Sequence, residues 1–249
     1  MPQFVIDSEN IKNNEIFITD KDDIKHISNV LRCNPGNKLT LIELDKYIYQ
    51  TEITNIKKDC IETKILNKEI ADKKLHINIT LAQSIIKSHK QDYIIQKSTE
   101  LGVNRIIPFI SKNTVVKIHS EKDNFQKVDR WLKIVHESVK QCERANIPQI
   151  SHIISFNELI EINDFDVKLV CTERDTNLSI KEFLRNNPAD KSKEFKILLI
   201  VGPEGGWDNS ELAIFKEKNI PQVTLGKLIL RAETAVTTAL ADIIYEYEL

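Results

Sequence analysis

Half of the glycine in this 249-residue chain falls in one pentapeptide. Gly202-Pro203-Glu204-Gly205-Gly206 holds three of the six glycines, directly after the apolar run 197–201, ILLIV. Such a run reads as a fully buried strand. Glycine tolerates positive φ and lets a ligand approach the backbone with no Cβ in the way, so a strand ending like this predicts a corner of bare amides. Glu204 lies inside that corner. A second short strand, 222–225, meets another lone glycine, Gly226, and runs on into Ile229-Leu230-Arg231-Ala232-Glu233-Thr234. Two such corners could hold a ligand through backbone and act on it through charge. Arg231 could stabilise developing negative charge or hold a phosphate, and Glu204 could accept a proton. Each corner alone also fits an ordinary tight turn. Arg231 fits a salt bridge with Glu233 or Glu204 at a helix entry, and Glu233 a carboxylate favoured by the first-turn dipole.

Several function classes are excluded. There is no G-x-G-x-x-G and no G-x-x-x-x-G-K-[ST], so neither a dinucleotide fingerprint nor a P-loop is present. Cys33, Cys60, Cys142 and Cys171 lack C-x-x-C spacing and the six histidines form no H-E-x-x-H pair. Reduced thiols in a cytoplasm follow, without a disulfide frame or a metal site. No apolar run approaches a membrane span, and the first residues lack the basic and apolar regions of a signal peptide. A 41% hydrophobic and 29% charged composition describes one large or two modest globular domains. The net charge of −2 speaks against nucleic acid, but its distribution is uneven. Residues 71–150 carry 14 Lys and Arg against 8 Asp and Glu, while residues 151–249 carry 11 against 17. That middle segment fits both a phosphate-facing surface and a solvated lysine-rich one.

The elements that must position these residues change character along the chain. Residues 1–70 read as short strands (15–19, 39–44, 47–56, 60–66), with a turn at Asn34-Pro35-Gly36 after the short helical stretch 26–32. A small β-barrel closes such strands without exposed edges. Charges cluster at 69–74, a linker. From Leu75 the order becomes strand, helix over 90–101, Gly102 as a helix-ending glycine, then strand 105–110. This is a βαβ unit of a parallel sheet. A helix over 125–142 presents Val128, Leu132, Val135 and Val139 on one face. Strand 167–171, helix 179–186 and strand 197–201 follow. The last helix, from Glu233 to about Tyr247, carries Val236, Ala239, Leu240, Ile243, Ile244 and Tyr247 as an apolar stripe, which on amphipathicity alone is core.

The motifs together resemble a known family. GPEGGW at 202–207, LGKLILRAETA at 225–235, KSTELGV at 97–103, HISNVLRCNPG at 26–36 and the run Glu137, Gln141, Arg144, Ile147, Pro148 are similar to landmarks of the RsmE family. These are 16S rRNA uridine-N3 methyltransferases of the SPOUT, trefoil-knotted superfamily. The resemblance spans nearly the whole chain. It implies an α/β fold: a PUA-like, RNA-binding β-barrel over 1–70, then a SPOUT domain over 71–249 with a parallel sheet and a deep trefoil knot. It implies S-adenosylmethionine as cofactor, no metal, and methylation of N3 of a uridine (position 1498 in the standard numbering) in 16S rRNA of the small ribosomal subunit. It also implies a homodimer that packs its C-terminal helix against a second subunit. Carried onto this chain, backbone around Leu199, Gly202, Gly205, Leu225, Gly226 and Leu230 lines the cofactor pocket, and Thr172 in the loop Cys171-Thr172-Glu173-Arg174 joins it. His26, Arg32 and Arg144 become RNA contacts, Arg144 alternatively reaching the partner's active site. Pro2-Gln3-Phe4 stands where many relatives have arginine, which weakens the expected RNA affinity of that end.

Overall fold

The computed structural model describes residues 3–71, 75–142, 144–173 and 176–249. Arg174, the last residue of the expected cofactor loop, and part of the expected 69–74 linker lie outside them. The chain forms two compact units, one of residues 1–74 with 139–147, the other of residues 75–138 with 148–249.

The first unit is a curled six-stranded sheet of PUA-like form. Its strands are β1 (Gln3–Ile6), β2 (Ile11–Lys12), β3 (Glu15–Ile18), β4 (Lys38–Glu43), β5 (Tyr47–Ile56) and β6 (Ile61–Ile70), in the order β1-β4-β5-β6-β3-β2. All neighbours are antiparallel except β1 and β4. Along β5, Tyr49, Thr51 and Ile53 are buried while the residues between them are half-exposed, the period of two that puts one face on the core. Phe4, Ile16, Ile27, Leu41 and Ile61 complete that core. Helix α1 (Lys21–Lys25) is capped by Asp20, which accepts from the Asp22 and Asp23 amides. It continues into a wider π-helical turn over His26–Val30. The buried Asp23 carboxylate pairs with Lys140 at 2.8 Å, a partner without which its burial would be costly.

The second unit is a wholly parallel seven-stranded sheet. Its strands are β7 (Ile77–Ser84), β8 (Arg105–Ile110), β9 (Gln149–Ile150), β10 (Ile154–Ser155), β11 (Val167–Cys171), β12 (Phe195–Val201) and β13 (Gln222–Val223), in the order β10-β8-β7-β12-β11-β13 with β9 also on β8. Helices α2 (Ser88–Glu100), α3 (Glu121–Cys142), α4 (Phe156–Ile160), α5 (Ile180–Asn186), α6 (Asn209–Glu217) and α7 (Ala232–Tyr247) connect or follow these strands. Strand β12 is central, paired on both sides, and its apolar run is buried throughout, as a parallel strand covered on both faces requires. Helix α2 ends in a Schellman motif, with Val103 N–H on the Ser98 carbonyl and Gly102 N–H on Thr99. Gly102 has φ +82, and a Cβ there would lie 2.4 Å from Leu75 Cδ1. Helix α7 packs on α2 and α5. Its stripe of Val236, Ala239, Leu240, Ile243 and Tyr247 is buried inside the chain, so these residues form the chain's own core and are not left for a second subunit.

Candidate active site

Both glycine corners lie at the carboxyl end of the parallel strands, the end at which open α/β sheets bind ligands. One cleft there is lined by Thr172 and Glu173 after β11, by Gly202 to Glu204 after β12, and by Leu225, Leu228, Leu230 and Arg231 between β13 and α7. Lys90 of α2 and Ala235 of α7 complete its wall. The Thr172 amide donates to the Val223 carbonyl at 2.9 Å, which draws the first loop to the third. Trp207 shapes the second. Its indole N–H donates to the Cys171 carbonyl at 2.8 Å, and its ring packs edge-on to Phe215, centroids 4.8 Å apart. A Cβ on residue 202 would come within 2.9 Å of that indole, and this is why glycine stands there. The corner is then locked to α6. Asp208 and Glu211 form a reciprocal capping box, Lys112 Nζ reaches Asp208 at 2.8 Å, and the Lys112 amide donates to Glu211.

The cleft holds a charge cluster and an unsatisfied hydroxyl. Lys90 Nζ donates to Glu204 Oε1 at 2.5 Å and lies 3.9 Å from Glu233 Oε1. Burial alone would raise the Glu204 carboxyl. The Lys90 hydrogen bond and charge, with the Lys87 backbone bond, outweigh it and hold Glu204 below the usual carboxylate range. A carboxylate so held is a weak base. Arg231 is the N-cap residue of α7, is exposed, and makes no ion pair among the described residues. Among the described residues neither alternative salt bridge, to Glu233 or to Glu204, is present, and Lys90 lies beside both carboxylates. The Thr172 hydroxyl is buried with no hydrogen-bond partner among the described residues. An unpaired buried hydroxyl is costly, and here it borders a cleft where a ligand could satisfy it.

Comparison with known proteins gives this geometry a family. Residues 73–244 match the family model described as RNA methyltransferase domain, and residues 18–66 match RNA methyltransferase PUA domain. Ribosomal RNA small subunit methyltransferase E of Bacillus subtilis is 31% identical over 229 residues, 92% of this chain and 89% of that protein. Its counterpart in Mesomycoplasma hyopneumoniae is 33% identical over 228 residues, 91% of this chain and 92% of that protein. The chain belongs to the RsmE family. The crystal structure of the Neisseria gonorrhoeae RsmE bound to S-adenosylmethionine superposes with a TM-score of 0.82 at 30% identity, covering 99% of this chain and 98% of that one. A Legionella pneumophila structure described as a putative methyltransferase in complex with the same cofactor superposes with a TM-score of 0.84 at 26% identity, covering 98% and 96%.

For an RsmE chain the placement of the expected site residues is uneven. Thr172, Gly202, Glu204, Leu225, Leu230 and Arg231 meet in the cleft. Leu199 does not. It lies mid-strand in register with Leu169 and Leu81, fully buried, its backbone taken up by the ladder. Gly205 faces Asn113, whose Cβ and carbonyl would meet a Cβ at 3.2 Å, and the Asn113 amide donates to the Gly206 carbonyl. Gly205 therefore serves the packing of the corner. Gly226 (φ +132) is exposed and open on all sides, turning the loop that carries Leu228 and Leu230. In the first unit, His26 and Arg32 are exposed, with His26 edge-on to Phe4 at 5.7 Å and Arg32 at φ +53. Arg144, expected to contact RNA or the partner's active site, is only 8% exposed and donates to Asn146 Oδ1 at 3.1 Å. Several cations of the basic middle segment are paired, in Lys97–Glu100, Lys112–Asp208, Arg130–Asp92, Lys133–Asp129 and Lys140–Asp23.

Sequence reasoning missed Lys90 and Trp207. The W of GPEGGW is visible, but nothing in the string says that its indole fixes Gly202. Lys90 carries no local signal beyond its place in the first turn of α2.

Proposed function

We propose that this RsmE chain transfers a methyl group from S-adenosylmethionine to N3 of a uridine in 16S rRNA, position 1498 in the standard numbering, acting as a cytoplasmic homodimer. The observation that carries this reading is the cleft, where both glycine corners, the unpaired Thr172 hydroxyl and the unpaired Arg231 guanidinium converge in a chain of that family. The residues present fit the cofactor. Thr172 offers a hydroxyl that needs a partner, Gly202 and Leu225 offer backbone, and Leu228, Leu230 and Ala235 form an apolar wall suited to an adenine face. When bound, S-adenosylmethionine supplies an electrophilic methyl group. The rest falls to the protein. As uridine N3 loses its proton, negative charge spreads onto the flanking carbonyl oxygens, and Arg231 is the cation at hand to stabilise it. Glu204, held ionised by Lys90, is too weak a base to be the required acceptor, so solvent takes the proton.

RNA binding falls to the first unit, with His26 and Arg32 as its proposed contacts. N3 lies on the Watson–Crick edge, so the base must be unpaired or flipped. The trefoil knot is part of the same reading, supported by the approach of the loops after β11, β12 and β13 at one end of the sheet. A second copy would cover the exposed Leu228 (80%), Ile229 (63%) and Tyr245 (70%). The test is methyl transfer from labelled S-adenosylmethionine to small ribosomal subunits lacking the modification, with naked 16S rRNA alongside and the product nucleoside identified. We expect 3-methyluridine. A different methylated nucleoside would overturn the target assignment.

A further inference from the structure

Three elements distant in sequence meet at one ammonium. Lys90 stands in the first turn of α2, Glu204 in the corner after β12, and Glu233 in the first turn of α7. The side chains of all three are largely covered, at 24%, 22% and 18% exposure. Glu233 Oε2 is buried with no hydrogen-bond partner among the described residues. The other charged groups nearby are Lys87 at the N-cap of α2, and Arg231 and Glu173 on the cleft wall. Two carboxylates thus share one lysine in a confined space, and two residues before the second stands Arg231.

We propose that Lys90 is a positioning residue of the cleft, its ammonium tying the Glu204 and Glu233 carboxylates so that the 202–207 corner and the start of α7 close on the ligand and present Arg231 towards it. The inference rests on the reading of the cleft as the S-adenosylmethionine site. Without Lys90, the two carboxylates lose the cation they share, and breaking a largely covered ion pair from one side is far more damaging than never having had it. The corner and α7 then separate, and Thr172 and Arg231 no longer converge. A second arrangement can restore contact. When one carboxyl is protonated it donates to the other, as paired carboxyls sharing a proton do.

This gives readouts that a lysine binding RNA directly, or serving only stability, would not share. In Lys90→Met, S-adenosylmethionine affinity without RNA, measured by calorimetry, falls roughly tenfold or more near pH 8. It recovers towards the wild-type value as pH is lowered from 8 to about 6, because a proton shared between the two carboxyls removes their repulsion. The wild type, in which Lys90 already bridges the two carboxylates, shows no such recovery. Lys90→Arg retains affinity at both values. Adding Glu233→Gln to Lys90→Met restores affinity at the higher pH, because the facing charges are gone, and the double-mutant cycle returns a coupling between the two sites. Unchanged affinity in a folded Lys90→Met protein would overturn the proposal. So would a loss that neither acid nor Glu233→Gln reverses, and so would a variant that binds cofactor normally but needs more RNA, which makes Lys90 a phosphate contact. Failure of the wild type itself to bind S-adenosylmethionine would instead sink the reading of the cleft, which keeps the two separable.

Discussion

At the scale of single residues, the cleft contains groups whose free-state condition is a disadvantage. The Thr172 hydroxyl is buried and unpaired, and such a group costs about 1–3 kcal/mol until something bonds to it. Thr172→Val should therefore leave the free protein as stable as the wild type or more so in thermal melting. The same substitution should weaken S-adenosylmethionine binding by about 3- to 10-fold, the worth of one hydrogen bond. A variant both less stable and unchanged in binding would place that hydroxyl outside the ligand's reach. Arg231 has the opposite character, exposed and without an ion pair among the described residues. Arg231→Ala should reduce turnover by roughly 100-fold or more, the scale of a lost charge-stabilising group, while cofactor affinity stays within about a factor of two. Equal loss of both would make Arg231 structural.

At the scale of elements, caps and turns hold the cleft in shape. Gly102 closes α2, the helix that carries Lys90, with φ +82 and Leu75 pressed against the place of its missing Cβ. Gly102→Ala should destabilise the fold by about 1–3 kcal/mol through strain and overpacking, read as a lower urea midpoint. Asp208, which caps α6, has its carboxyl lowered to about 2, first by the Lys112 hydrogen bond and then by Ser210. A carboxyl depressed in the folded state contributes stability that is fully present above its unfolded value of 3.8 and is lost as pH falls through the folded one. That contribution should disappear between about pH 4 and 2, and in Lys112→Met the Asp208 titration followed by carbon NMR should move back towards 3.8. The elements themselves were largely legible in the string. The run 197–201, the helix-ending Gly102 and the stripe on α7 declare themselves through periodicity and local chemistry. The short strands β9 and β10 did not, because two residues show no period. Leu199 lies within the ladder and Val201 borders the cleft, a difference that depends on how the strand meets its neighbours and not on the string. Lys90 and the burial of Arg144 were invisible, because each depends on partners brought together by the fold.

At the scale of the whole molecule, residues 139–147 belong to the same compact unit as 1–74, so the division of the chain is not a single cut. A reading along the string sees the change of grammar near residue 70 and cannot see a later segment return. Two activities are joined in one chain, a PUA domain and an RNA methyltransferase domain, and among the described residues no helix is long and apolar enough to cross a membrane. The central claim is that the cleft bounded by the two glycine corners is where S-adenosylmethionine sits. Ala235 lines that cleft from α7 without contributing a polar group, so enlarging it fills the space and leaves the hydrogen-bonding groups intact. The measurement is a calorimetric titration of S-adenosylmethionine into the wild type and into Ala235→Leu, with melting curves of both. The account predicts saturable binding to the wild type and at least a tenfold loss in a variant that melts as the wild type does. Undiminished binding to folded Ala235→Leu would contradict it and place the cofactor elsewhere.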